Sequence, residues 1–393
     1  MTVEISKRLE KLTGYAFDEI GKKVARLRRD GIEVISFGIG DPTEPTPKVV
    51  RDALKGGADS RAESGYPSYV GSLDFRRAIA EWTAKRFGIQ LDVEAEICAS
   101  IGSKEAVFNF PEAFVNPGEV VIVPNPGYPP YSRGTMFADG QVHYVDLLPE
   151  NNFLPDLESI PEDVCKRAKI LWINYPNNPT GAVAPQKFYE KVIAFGQKHR
   201  IIIASDEAYS ENYYNEDSKP HSILEFARDG VIVFQSLSKR SCMTGYRVGW
   251  VAGDSEIVAA FKKLKTNIDS GTPTFIQDAA IAALADEKHV KKLRELYRKK
   301  RDLISDAFVS VGLDDCRPQA TLHMWQKVPS GYNSLEFAEK LLDPSIAIVA
   351  TPGNWVSEET DAGNPGEGFV RFSLVPSIKE CELAAERIKA YLK

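Results

Sequence analysis

Apolar positions along the chain recur in two rhythms. Between residues 16 and 30, Phe17, Ile20, Val24 and Leu27 are spaced three, four and three apart and stop at Asp30-Gly31. That spacing predicts an amphipathic helix closed by a glycine. The stretch ISFGIGDPTEPTP that follows is too rich in Gly and Pro to be regular. Beyond it the apolar residues gather into short runs: EICASIG, VVIVP, ILWINYP, RIIIASDEAY and VIVFQSLSK, with another from Val248 to Ala252. Helical patterns separate them, such as Phe75, Ala78, Ile79 and Trp82 on a helix ending before Gly88. Runs this apolar, alternating with helices, predict an α/β fold with a mostly parallel sheet covered on both faces.

Near residue 285 the texture changes. Val290, Leu293, Tyr297, Ile304, Phe308 and Val311 recur at helical spacing in a highly charged segment that ends at Gly312, predicting a long helix. TLHMWQKVP and GFVRFSLV then read as strands, and with a charged final helix they suggest a smaller α+β domain.

Composition narrows the class. With 393 residues, 43% of them hydrophobic and 26% charged, the chain is an ordinary globular protein that can divide its core between two domains. Its formal net charge is -6, and no block of like charge exceeds short groups such as RKKR at 298–301, which argues against nucleic acid or an anionic membrane as the main partner. Cys98, Cys165, Cys242, Cys316 and Cys381 are odd in number, scattered and without a C-x-x-C pair, so neither a disulfide frame nor a zinc site is expected. The polar start MTVEISKRLEKLTGY has no apolar leader, and no apolar run is long enough to cross a bilayer. A cytoplasmic protein is the expectation.

In parallel α/β sheets ligands bind beyond the carboxyl ends of the strands. Following the runs in turn are Gly102-Ser103-Lys104, Asn177-Asn178-Pro179-Thr180-Gly181, Asp206 with Tyr209, and Ser236, Ser238 and Lys239. Singly, each has a plain explanation: a solvated lysine, an aspartate N-cap, turn chemistry, a helix start. Together they gather a lysine, a carboxylate, a phenol, an amide and several hydroxyls at one edge. No G-x-G-x-x-G opens the alternating region and no G-x-x-x-x-G-K-[ST] occurs, so a dinucleotide or P-loop site is not indicated.

GIGDPTEPTP, GYPSYVG, NPGYPPY, NYPNNPTGA, SDEAY, SLSKR, GYRVGW and FVRFSL, in that order, resemble the class I/II aminotransferases of pyridoxal-phosphate fold type I over nearly the whole length. The resemblance implies an arm and part of a small domain in residues 1–47, a large cofactor-binding domain in 48–284 and the rest of the small domain in 285–393. Lys239 would bind pyridoxal 5'-phosphate covalently and, once freed by the substrate, shuttle the Cα proton. Ser236, Ser238, Arg247 and the amides of Ser103 and Lys104 would hold the phosphate. Asp206 would face the ring nitrogen, Tyr209 and Asn178 the phenolic oxygen, and Tyr128 the ring face. Arg371 would grip the substrate carboxylate with help from the Gly40 backbone; strand alternation alone would put Arg371 on a solvated face. Family members are commonly homodimers, and Tyr66 would reach the partner's phosphate. Ping-pong exchange of amino acid and 2-oxo acid follows.

Tyr15, the GIGDPTEP stretch and Lys104 are closer to the LL-diaminopimelate branch than to the aspartate branch, and in that branch Tyr15 and Lys104 approach the distal part of the substrate. Against this, the region of NIDSGTPTF around Ser270 lacks that branch's distal-group asparagine. Aspartate, alanine, aromatic and N-succinyldiaminopimelate donors stay open, as do the carbon-sulfur and cyclopropane-forming lyases of the same scaffold. The regulators that carry this scaffold behind a basic winged-helix domain fit poorly, because the resemblance begins within the first 40 residues.

Overall fold

The computed structural model describes residues 3–12 and 18–392. Among these residues twelve strands form three sheets: β1 Ile35–Ser36, β2 Ile97–Ser100, β3 Val120–Asn125, β4 Gln141–Asp146, β5 Ala168–Asn174, β6 Ile202–Asp206, β7 Val231–Ser236, β8 Gly249–Gly253, β9 His323–Lys327, β10 Ile348–Val349, β11 Thr351–Pro352 and β12 Phe369–Ser373. The largest has seven strands in the order β2-β8-β7-β6-β5-β3-β4. Every predicted apolar run lies in it. All its strands run parallel except β8, which is antiparallel to both β7 and β2.

Alternation divides these strands between two cores. Ile122, Leu171, Ile203 and Val233 join one apolar cluster, while Val121, Trp172, Ala204, Ile232 and Phe234 join the other. Each fully buried large apolar side chain contributes about 1.5–3 kcal/mol over its exposed state. With both faces covered, the polar groups of the sheet are confined to its ends.

A third core lies under the three-stranded sheet β11-β12-β9, where Phe37, Ile304, Phe308, Met324, Val370, Phe372 and Ile388 meet. The long helix Glu287–Ser310 supplies its floor and stops at Gly312, which has φ +86°. The first predicted helix spans Asp18–Arg29 and Gly31 follows at φ +79°, though Phe17 lies outside the described residues. The helix Leu73–Phe87 starts on the Ser72 side chain and ends at left-handed Gly88. Among the described residues no helix is long and apolar enough to cross a membrane.

Candidate active site

The reversed strand β8 explains the basic residue that precedes it. Gly249 pairs with Ser100 of β2 and with Ser236 of β7, so the start of β8 meets the carboxyl ends of its neighbours. Arg247, two residues earlier, is thereby brought to the same edge as Ser103, Asp206 and Lys239. Its guanidinium lies over Gly102: a Cβ there would stand 2.4 Å from Arg247 Nη2. A Cβ on Gly249 would come within 3.0 Å of the Ser103 amide nitrogen. Two glycines therefore let Arg247 and the start of the helix Ser103–Asn109 approach closely, with no side chain between. Arg247 is exposed and donates to Thr244 O at 2.8 Å.

The turn after β7 is fixed by its serines. Ser236 Oγ accepts from the Ser238 amide at 3.1 Å and donates to Ser238 Oγ at 2.9 Å, which starts a short helix carrying Lys239. Lys239 Nζ donates to Gly40 O. Burial pulls its amine down to about 8, Asp41 opposing and Arg247 and Arg371 adding to the shift.

Asp206, at the end of β6, is held from three sides. Its Oδ2 accepts from Tyr131 Oη at 2.8 Å, its Oδ1 from the Ala208 amide at 3.1 Å, and its carbonyl from Asn174 Nδ2 at 2.8 Å. Burial pushes its carboxyl up to about 6 against the Tyr131 and Ala208 bonds. Tyr131, itself fully buried, stacks on Trp172 at 4.7 Å, and Tyr128 meets Tyr131 edge to face at 5.8 Å.

The NNPTG turn folds on Asn177, whose Oδ1 accepts from the Thr180 amide at 3.0 Å and its hydroxyl at 2.7 Å. Gly181 closes it at φ +74°, where a Cβ would meet Pro318 at 2.6 Å. Asn178 stands at its head, its amide bonded to Asn174 Oδ1 at 2.8 Å. Asn178 Oδ1 accepts from Arg371 Nη1 at 3.1 Å, so the group it presents to the site is its NH2.

Arg371 is not on a solvated face. The β12 side it shares with Ser373 looks at the large sheet, and its Nη2 donates to Gly38 O at 2.8 Å. Its Nε is buried without a partner. Gly38 and Gly40, which hold Arg371 and Lys239, are two residues apart, so the two carbonyls are at most about 7 Å apart along the backbone.

Not every expected residue comes together here. Tyr66 is 88% exposed and Lys104 and Ser270 are exposed. Tyr15 lies outside the described residues. Three participants were missed: Tyr131, Asn174 and His323. Tyr131 and Asn174 sit inside quoted motifs. His323 is 1% exposed, with Nε2 3.1 Å from Tyr209 Oη and Nδ1 3.0 Å from Ser373 Oγ. A lone histidine between Leu322 and Met324 at the start of a strand was its signal.

Compared with known proteins, residues 32–388 match the family Aminotransferase class I and II. The chain belongs to that family. Relatives of this aminotransferase include the LL-diaminopimelate aminotransferases of Aquifex aeolicus, 46% identical over 98% of each chain, and of Halothermothrix orenii, 42% identical over 98% of each. Among solved structures, substrate-bound BacF of Bacillus subtilis superposes with a TM-score of 0.90 at 31% identity, covering 99% of this chain and 98% of that one. An aminotransferase from Neisseria meningitidis gives 0.89 at 35% identity, covering 98% and 99%. The aminotransferase is of pyridoxal-phosphate fold type I and depends on that cofactor.

The residues present fit such a group. Arg247 and the Ser103 amide, brought together across two glycines, suit a phosphate, a buried carboxylate suits a ring nitrogen, and the amine of Lys239 is partly desolvated. The unpaired Arg371 Nε adds a donor with nothing yet to serve.

Proposed function

We propose that this aminotransferase takes LL-2,6-diaminopimelate or a closely similar diamino diacid as amino donor or product, with a 2-oxo acid as the other reactant. What supports the substrate class is full-length similarity, at 42–46% identity, to proteins named LL-diaminopimelate aminotransferases. What carries the reading of the site is the seating of Lys239 on Gly40 O and Arg371 on Gly38 O. A carboxylate bound bidentately by Arg371 would hold an amino acid's Cα within reach of Lys239 Nζ. Lys104, exposed in the first turn of its helix, and Tyr15 are the residues proposed for the distal end.

When bound, pyridoxal phosphate supplies an electron sink that makes the substrate's Cα–H acidic. Lys239 Nζ would take the Cα proton from the amino donor and, in the half-reaction that runs backward, deliver a proton to the Cα of the new amino acid. With its amine near 8, about one molecule in ten has it neutral at pH 7, enough for a general base. Asp206, braced by Tyr131, would face the ring nitrogen as a carboxylate. Tyr209 and the Asn178 NH2 would serve the phenolic oxygen, Tyr128 the ring, and Ser236, Ser238, Arg247 and the amides of Ser103 and Lys104 the phosphate. Gly40 positions Lys239 through its carbonyl. We read residues 48–284 as the cofactor-carrying domain, with 1–47 and 285–393 forming the smaller one. The protein is proposed to act as a cytoplasmic homodimer: Tyr66, 88% exposed, is free to meet a partner chain, and the five free cysteines suit a reducing compartment.

The test is to add LL-diaminopimelate, glutamate, aspartate, alanine, tyrosine and N-succinyl-LL-diaminopimelate singly to the holoenzyme and follow its near-ultraviolet and visible spectrum. Conversion at the lowest concentration by LL-diaminopimelate, with the matching oxo acid as product, is expected. Conversion by another donor at lower concentration would replace the substrate assignment.

A further inference from the structure

His323 and Ser373 face each other across β9 and β12. Their side chains are buried, with exposures of 1% and 0%. Among the described residues, Ser373 Oγ has one hydrogen-bond partner, His323 Nδ1 at 3.0 Å. Tyr209 Oη likewise has one, His323 Nε2 at 3.1 Å. The ring cannot swing away, because the Gly40 backbone presses on it: a Cβ at Gly40 would stand 2.6 Å from His323 Cε1.

The direction of this chain follows from which hydroxyl hydrogen a bound ligand can reach. Burial, then Arg371 and Lys239, hold the imidazole well below its usual range, so it is neutral, with one donor and one acceptor. If Nδ1 donated to Ser373, the serine's own hydrogen would be buried with no acceptor, at a cost of about 1–3 kcal/mol. If Ser373 donates to Nδ1, Nε2 carries the hydrogen and donates to Tyr209 Oη, and the unpaired hydrogen moves from Ser373, which no ligand can reach at 0% exposure, to Tyr209, where the phenolic oxygen of bound cofactor would accept it. Tyr209 then keeps its own hydrogen, with no acceptor among the described residues. The titratable or charged groups around the ring are Tyr209, Arg371 and Lys239.

We propose that His323 is a positioning residue: held by Ser373 and Gly40, it donates from Nε2 to the Tyr209 oxygen, and so aims the Tyr209 hydrogen at the phenolic oxygen of bound cofactor and strengthens that bond. This rests on the reading that Tyr209 meets that oxygen. A hydroxyl that accepts one hydrogen bond becomes a better donor in the next, by roughly 10–30%. A stronger donor favours the anionic form of the phenolic oxygen.

The readout is the pH midpoint of the bound cofactor's visible absorbance band in the holoenzyme. His323→Phe keeps the ring shape and removes both bonds, and should raise the midpoint by roughly a few tenths of a unit. The opposite tautomer predicts a lower midpoint, because Tyr209 would be released to donate; a lower or unmoved midpoint overturns the proposal. His323→Gln, which retains an amide donor, should restore most of the shift, and failure to do so counts against it. Ser373→Ala should raise the midpoint by less than His323→Phe, and it serves as the test if the phenylalanine variant does not fold. Tyr209→Phe separates the two readings. If it moves the midpoint and the His323 and Ser373 variants do not, the relay alone falls. If Tyr209→Phe leaves the band unmoved, Tyr209 does not meet the phenolic oxygen and both fall.

Discussion

The polar groups that the large sheet brings to the site are paired among themselves. Ser236 holds Ser238, Asn174 holds both Asp206 and Asn178, and Tyr131 holds Asp206. The groups contributed from the small sheet instead reach outward: Arg371 to Asn178 and His323 to Tyr209. The first wall is largely paired before any ligand arrives. The second is braced from within by Ser373 and Gly38 and also crosses to the first, and among the described residues it keeps a buried guanidinium nitrogen unpaired. A preorganised platform suits a group that stays, and a wall with spare donors suits substrates that come and go.

The sharpest way to break that division is at the residue that touches both walls. Lys239→Ala should abolish transamination, a loss of at least about 10⁴-fold, the upper range for a single proton-transfer group. Its cofactor should wash out on gel filtration while the substrate wall stays intact. A coloured, active variant would overturn the assignment of Lys239. Arg371→Ala, by contrast, should keep the cofactor bound and coloured, with at most a small spectral shift through Asn178, and raise KM for every amino acid by about 10²-fold, as expected for removal of one partner from a desolvated charge pair. If the spectrum changed and KM did not, the two walls would not be separable.

How far the site could be read in advance follows the same division. On the large sheet, chain order and edge position coincide: each apolar run ends in its own polar cluster, so Asn178, Asp206, Ser236 and Lys239 were legible from the residues that follow buried strands. Arg247 needed the antiparallel run of β8, which no local pattern announces. On the small sheet, period-two alternation correctly grouped Arg371 with Ser373 but could not say that this side meets the other domain's residues instead of water. His323 was illegible for the same cause, since its partners Tyr209 and Ser373 are 114 and 50 residues away in sequence.

A subtler change to the first wall is Gly102→Ala. Gly102 has φ 70° and ψ 163°, a conformation open almost only to glycine, and the added methyl would displace Arg247. Cofactor affinity should fall about tenfold, as expected for a strain of 1–3 kcal/mol imposed where the phosphate is held. Fluorescence titration with pyridoxal phosphate measures it. Unchanged affinity would mean that Arg247 does not belong to the platform.

The smallest effect on activity is expected at Glu207, which lies beside Asp206 but points to the other face of the sheet. It braces the strand end from beneath, accepting from Ser205 Oγ at 3.0 Å, the Ile223 amide at 3.0 Å and Gln235 Nε2 at 3.2 Å. Burial nevertheless pushes its carboxyl up to about 7. A folded-state value above the unfolded one stabilises the fold in acid, and that contribution is lost as pH rises from about 4.5 through about 7, on the order of 3 kcal/mol in all. Glu207→Gln removes the titration, and Gln235 can turn its amide over to accept from the new NH2. The urea midpoint of the wild type should therefore fall between pH 5 and pH 8 by more than that of the variant, while turnover changes less than about twofold because no bond inside the site is touched. Equal pH dependence in the two proteins would show that the carboxylate is already ionised at pH 5 through its three donors. A large loss of turnover would show that the platform depends on charge beneath it as well as on the pairing within it.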